Sequence, residues 1–291
     1  MSKRADTDRL RDHVQKLEGE RHPLSSPDAL AKAEAHVFDT LGALGLEVER
    51  QPFELRGRRY HNVVARKPGL DLHRPRVLVG AHFDTVRGTL GADDNASGVA
   101  VLLEAARILT RYDFRSTVEF VGFNLEESQG FTYRVGSRRF AAQAWRDGVE
   151  YSGCLILEMV GYTDPTPGSQ SVPALLFWKR VPDAGTFLAA TGDLRSRRLL
   201  SAFERCAAEA EPALRVVTFR TPLRGRLVFH TRLSDNASFW DRGYPSLMIT
   251  DTAFLRNPHY HRPSDRAATL DLDFMGKVAN ATVETVRHLA A

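Results

Sequence analysis

Histidines and carboxylates recur in this chain directly after short apolar runs. His82 and Asp84 follow Val77–Ala81, Glu126 and Glu127 follow Thr117–Phe123, and Glu158 follows Gly153–Leu157. Asp93 and Asp94 lie in a Gly-rich loop, and His259, Tyr260 and His261 lie in a late polar loop. Imidazole nitrogen and carboxylate oxygen are the donors that Zn²⁺ accepts, and catalytic zinc sites keep one position for water. The candidate ligands are therefore His82, Asp94, Glu127, Glu158 and His261. Two His and three acids suit two metals, one His each, with one carboxylate bridging. Two ions about 3.5–4 Å apart share a water that becomes hydroxide near neutral pH. A further carboxylate must take the proton from that water. Glu126 is placed for this, because one of the adjacent glutamates can bind metal while the other faces the water.

These residues need elements that end together. Arg76–Leu109 reads as strand, polar loop and helix: an apolar run, a loop carrying Asp93 and Asp94, then Val99, Leu102, Leu103, Ala106 and Leu109 at helical spacing. His82 and Asp84 share one face of a strand end, so one can bind metal while the other orients it. Asn95 or Ser97 can cap the helix. Before this segment, residues 5–45 predict two helices, the second running from Ala29 to Leu44, capped near Ser26 or Asp28 and closed at Gly45. Glu47–Leu55 and Arg59–Lys67 predict two strands around Arg56-Gly57-Arg58. After it, the pattern predicts helices at Gly136–Trp145, Leu194–Ala210 and Ser234–Asp241, and a closing helix through Met275–Leu289. It predicts strands at Ala174–Lys179, Leu214–Phe219 and Ser246–Ile249, and loops at Tyr162–Pro173 and Thr221–Thr231. Alternating strands and helices argue for one α/β domain over residues 1–291, with the helices of 1–45 packed on it. Ligands in open α/β sheets sit at the carboxyl ends of the strands, where these acids fall.

Composition narrows the class. The chain has 291 residues, 43% hydrophobic and 26% charged, which is enough for a sizeable core. Of 40 basic residues 34 are Arg, and the net charge is +4. The Arg-rich stretch 195–226 reads as a solvated face, since no aromatic interleaving or nucleic-acid motif accompanies it. No apolar run reaches 18 residues, so no membrane span is expected. The N-terminal residues lack an apolar signal core, so a cytoplasmic location is expected, with Cys154 and Cys206 reduced.

The segments GAHFDT (80–85), GADDNASG (91–98), NLEESQG (124–130), LEMVGY (157–162) and the stretch 234–271 together resemble the two-zinc aminopeptidase and glutamate carboxypeptidase family, which also includes glutaminyl cyclases. The resemblance implies a mixed, mostly parallel sheet of about eight strands flanked by helices. It implies two zinc ions: His82 and Glu158 on one, Glu127 and His261 on the other, and Asp94 bridging. It implies that Asp84 orients His82 and that Glu126 is general base and acid. His261 is preferred to His259 because it opens the HRPSD segment, where the family carries a ligand His. Arg262 stands where Thr is usual in that segment. In some relatives a Tyr equivalent to Tyr260 hydrogen-bonds the tetrahedral intermediate; a packing role for Tyr260 is the alternative. Arg256 and Asn257 can meet a substrate terminus or simply fix their loop.

The expected activity is a zinc peptidase acting on peptide or amino-acyl substrates, an aminopeptidase first. A carboxypeptidase or dipeptidase, and a glutaminyl cyclase using one zinc, are the enzymatic alternatives. A metal-free scaffold is the non-enzymatic one, disfavoured because all five ligands and the base are kept. Oligomeric state and preferred side chain are not readable from the chain.

Overall fold

A computed structural model describes residues 3–127, 133–173 and 181–291. Strands β1 (Glu47–Leu55) and β2 (Arg58–Lys67) form a hairpin in which Leu55 faces Arg58. The two turn residues, Arg56 and Gly57, both have positive φ (51° and 74°). That is the turn whose twist matches paired strands. The antiparallel ladder continues from β2 to β4 (Val118–Phe123). β3 (Arg76–His82) then runs parallel between β4 and β5 (Tyr151–Leu157), and β5 is parallel to β8 (Ser246–Thr250). β6 (Leu188–Gly192) pairs antiparallel with β8 and parallel with β7 (Val216–Arg220). The result is one mixed eight-stranded sheet in the order β1-β2-β4-β3-β5-β8-β6-β7.

The central strands are apolar on both faces because helices cover both. Val77, Val79 and Ala81 of β3 belong to one core, while Leu78 belongs to the other; Leu155 and Leu157 of β5 alternate in the same way with Cys154 and Ile156. This is the two-residue period of a strand. The first core is filled from α1 (Thr7–Leu17), α2 (Pro27–Ala43), α3 (Gly98–Leu109), α5 (Arg197–Ala210) and α7 (Leu272–Ala290). The second is filled from α4 (Val135–Arg146) and the region of α6 (Asn236–Arg242), where Phe123, Phe140, Phe239, Tyr151 and Tyr244 meet ring to ring. α3 is buried on every side. Its start is fixed by Asn95, whose Oδ1 accepts from Gly98 N–H (3.1 Å) and Met159 N–H (3.0 Å) and whose amide donates to Leu157 O (2.8 Å).

The single α/β domain, the hairpin and the seven helices follow the sequence pattern, with ends moved by a few residues. α2 begins at Pro27, where the missing N–H is harmless, and Ser26 stands at its cap position without a side-chain bond. Strand β6 was not anticipated: LAATG has few of the branched residues that mark strands. The strand expected at 174–179 lies outside the described residues. Cys154 and Cys206 are buried and unpaired. Among the described residues no helix is long and apolar enough to cross a membrane.

Leu102 is fully buried in α3, whereas Leu70 is 81% exposed. Leu102→Ala should therefore lower the unfolding free energy by about 2–5 kcal/mol in a urea titration. Leu70→Ala should stay within about 0.5 kcal/mol of the parent.

Candidate active site

Four strands end on one side of the sheet and deliver the acids together. His82 closes β3 and is buried, with Nε2 3.4 Å from Asp94 Oδ1 and 3.4 Å from Glu158 Oε2. His261 approaches from the loop after β8, with Nε2 3.2 Å from Asp94 Oδ2 and 3.3 Å from Glu127 Oε1. Asp94 thus turns one oxygen to each imidazole. His82, Asp94 and Glu127 offer ligand atoms that all lie within 4.8 Å of one another, the spacing of a possible metal site. Two donors each about 2.0–2.1 Å from a shared tetrahedral zinc lie about 3.3 Å apart, close to every one of these separations. His82 Nε2 and Asp94 Oδ1 are buried and have no hydrogen-bond partner among the described residues. Orphaned donor atoms facing each other at ligand spacing fit a cation.

The ligand-bearing segments are held by carboxylates that accept backbone N–H groups in pairs. Asp84 Oδ1 accepts from Glu126 N–H (2.9 Å) and Oδ2 from Glu127 N–H (3.1 Å). Asp265 does the same for the other segment, taking Asp93 N–H (2.8 Å) and Asp94 N–H (3.1 Å). Asp84 also meets His82: its carbonyl lies 3.2 Å from Nδ1, and its carboxylate 3.5 Å. Glu158 is held by the Ser234 hydroxyl, which donates to Oε2 at 2.6 Å. Asp93, next to Asp94, faces away and accepts from Gly161 N–H (2.9 Å) and the Asn257 amide (2.7 Å).

Charge in this dry space is unbalanced. Burial pushes the Glu126 carboxyl well above its ordinary range, and Glu127, Asp235 and Glu158 push it further against the pull of His82. Burial and then Asp94 push Glu127 up to about 8. Burial works against charged His261, but Asp94 and Glu127 outweigh it and raise the imidazole to about 10. His82 is raised likewise, burial being overcome by Glu158, Asp84 and Asp94. Protons on the imidazoles therefore occupy the atoms a metal would use, and metal and protons compete for them.

An apolar cavity of about 140 Å³ opens beside the cluster, between Glu158 and Tyr260. Its walls include Phe187, Ala189, Val217, Phe219, Met248 and Leu255. Tyr260 stacks on His261 (3.7 Å between ring centroids) and touches Phe254, which touches His230. Burial and the neighbouring carboxylates raise the Tyr260 phenol, so it stays a hydrogen-bond donor. Arg256 is buried, donating to Gln170 Oε1 (2.9 Å) and Phe187 O (2.9 Å). Asn257 is likewise engaged with Asp93 and with His259 N–H. Both side chains hydrogen-bond within the protein. His259 bonds Ser264 instead of joining the cluster.

Three residues that matter here gave little sign in the sequence. Asp265 reads from the sequence as a residue that orients its loop and the ligands, but its partners, Asp93 and Asp94 N–H, lie 172 and 171 positions away. Asp93 carries no role in the sequence pattern beside the candidate ligand Asp94. Arg21, fully buried beneath the loop, was one arginine among many. The feature that could have marked it is its place, between two amphipathic helices and two residues before Pro23.

Known proteins resemble this chain in sequence and in fold. The protein YfbL of Escherichia coli K12, itself uncharacterized, is 32% identical over 290 residues, covering 96% of this chain and 87% of its own. Leucine aminopeptidase 1 of Trichophyton rubrum is 29% identical over 79% of this chain, a match spanning 58% of that protein. A glutaminyl cyclase of Porphyromonas gingivalis, only 21% identical, shares the fold over 98% of both chains with a TM-score of 0.74. The sequence profile of peptidase family M28 matches residues 62–286, from β2 through most of α7, and so takes in every strand end described above. With that span of match, the chain belongs to peptidase family M28.

Proposed function

We propose that the protein is a two-zinc aminopeptidase that releases an N-terminal residue with a large apolar side chain. One juxtaposition carries this reading: Glu158 of the imidazole and carboxylate cluster, and Tyr260 stacked on its His261, also line the apolar cavity. Its volume is close to the roughly 150 Å³ of an apolar cavity that admits benzene, so a Leu or Phe side chain is the fitting occupant. The cluster beside the cavity is rich in carboxylates, Glu158 among them, which favours a substrate ammonium over a carboxylate. Arg256 and Asn257, the nearby groups able to bind a carboxylate, are engaged internally. The likeness to a leucine aminopeptidase supports the same choice.

His82 and Glu158 would hold one ion, His261 and Glu127 the other, with Asp94 between them. When bound, the ions would polarise the scissile carbonyl and lower the pKa of a water. Glu126 then takes one proton from that water as its oxygen bonds to the carbonyl carbon. The Tyr260 phenol donates to the oxygen that gains charge, an oxyanion-hole role. As the C–N bond breaks, Glu126 gives its proton to the leaving amine and returns to carboxylate. Asp84 keeps the two glutamates in register through their backbone N–H groups, so that one faces metal and the other water.

Metal content and a substrate panel test this reading together. Two zinc ions per chain, fast release from leucyl substrates and no reaction with N-acetyl-leucyl substrates are expected. One zinc with cyclisation of N-terminal glutamine would replace the reading with a glutaminyl cyclase, and cleavage of N-blocked dipeptides would replace it with a carboxypeptidase. Glu126→Gln should keep both zinc ions and lose about 10²–10⁴-fold in kcat, because the amide cannot take the proton. Glu127→Gln should lower zinc per chain and recover part of its activity with added zinc; the opposite pattern would reverse the two roles. Ala189→Leu adds side-chain volume to the cavity wall. It should cut kcat/KM for leucyl substrates by about 10–200-fold, with alanyl substrates little changed.

A further inference from the structure

Arg21 lies in the connection between α1 and α2, far from any ligand in sequence, yet its side chain is only 2% exposed. Its guanidinium touches no carboxylate as an ion pair among the described residues. Among the described residues every hydrogen-bond partner of the guanidinium is a main-chain carbonyl. Nε donates to Phe83 O (2.7 Å), and Nη2 donates to Gly91 O (2.8 Å). Nη1 reaches Leu90 O (3.2 Å), Gly19 O (2.9 Å) and Leu17 O. The backbone adds to this: Arg21 N–H donates to Thr85 Oγ1 (2.9 Å), and Gly19 N–H to Leu90 O (2.8 Å). Phe83 follows His82, and Gly91 precedes Asp93 and Asp94. One planar group therefore grips both ends of the loop that carries His82 and Asp94.

We propose that Arg21 is a positioning residue for the metal centre: it ties the N-terminal segment to both ends of the β3–α3 loop, fixes the spacing of His82 from Asp94, and so sets zinc affinity. The inference rests on the two-zinc reading above. The seat is specific for a fork. A Cβ at Gly91 would lie 2.8 Å from Nη2, and Gly91 has φ of 60°, so the loop comes as close as a backbone can. Lys has one nitrogen on a flexible stem and cannot donate along two edges of a plane. Charge and geometry also act in opposite directions here. The cation is stabilised through space by Asp265, Asp84, Asp94 and Glu127, and it stays protonated although burial lowers it to about 10. A fixed positive charge so near the ligands disfavours a second cation, so removing it would by itself strengthen zinc binding. Holding the ligand spacing works the other way, and the proposal is that geometry prevails.

The test compares wild type, Arg21→Lys, Arg21→Met and Thr85→Val by zinc titration against a chelator and by hydrogen exchange of the zinc-free proteins. Loss of a group that orients metal ligands costs about 10–100-fold in affinity. Both Arg21 variants should show that loss, with faster exchange confined to residues 83–95. Zinc binding by Arg21→Met as tight as wild type or tighter would overturn the proposal. So would unchanged zinc affinity accompanied only by a lower global unfolding midpoint, which is the result of a purely structural role. Should the Arg21 variants fail to fold, Thr85→Val carries the test: faster exchange at 83–95 with weaker zinc binding supports it, and wild-type values for both overturn it. No zinc uptake by the wild type would overturn the two-zinc reading itself.

Discussion

Like charges crowded into a dry space are the constraint that the rest of this structure answers. Asp84, Asp94, Glu126, Glu127, Asp235 and Asp265 are all buried, with Glu158 nearly so. Each ionised carboxylate taken from water costs several kcal/mol unless something replaces its hydration. The chain replaces it in three ways. Backbone N–H groups serve Asp84 and Asp265, imidazoles serve Asp94, Glu127 and Glu158, and the buried pair Asp93 and Asp251 is pushed toward the neutral form. In that pair burial and the second acid hold Asp93 well above its ordinary range, while Asp251 is raised to about 6. What remains is an excess of negative charge around the two imidazoles, and divalent cations are the groups best suited to offset it.

The paired N–H contacts also make strained backbone tolerable. Leu125, Met159 and His261 all have positive φ, near 50–60°, beside or at the candidate ligands. A non-glycine residue held there costs about 1–3 kcal/mol and persists only where its surroundings over-determine it. The surroundings do so here. Glu126 and Glu127 are fixed by Asp84, Met159 N–H by Asn95, and Asp93 and Asp94 by Asp265. Strained peptides and their clamps are parts of one device that turns carboxylates inward where a relaxed chain would turn them to water.

The sequence made the strand ends legible because an apolar run broken by an acid is a local pattern. The hairpin and the long helices were legible for the same reason, since their periods are written in neighbouring residues. β6 was not, because Ala189, Ala190 and Gly192 carry little strand preference, and only pairing with β8 makes them a strand. Asp94 was legible as the ligand, but the role of Asp93 was hidden, because its partners, Gly161 N–H and the Asn257 amide, lie 68 and 164 positions away. The twofold use of Asp84 was half visible. Its nearness to His82 follows from spacing, but its hold on Glu126 and Glu127 spans 42 and 43 positions. Arg21 was wholly hidden, because burial of an arginine depends on five carbonyls drawn from three separate segments.

The sheet order has a consequence for how the molecule is made. β8 is the last of the described strands but lies inside the sheet, between β5 and β6. Until residues 246–250 have left the ribosome, β6 and β7 have no ladder joining them to the other strands. His261 emerges later still. Long-range pairings of this kind close slowly, because the loop entropy comes before the contacts that offset it. A nascent chain can thus form the hairpin and the β4-β3-β5 core, with most of its acids already in place, while lacking one imidazole of the cluster. If the proposed chemistry is right, proteolytic capacity appears only once residues 246–261 have been released, and until then a growing copy cannot cut its neighbours on the same message.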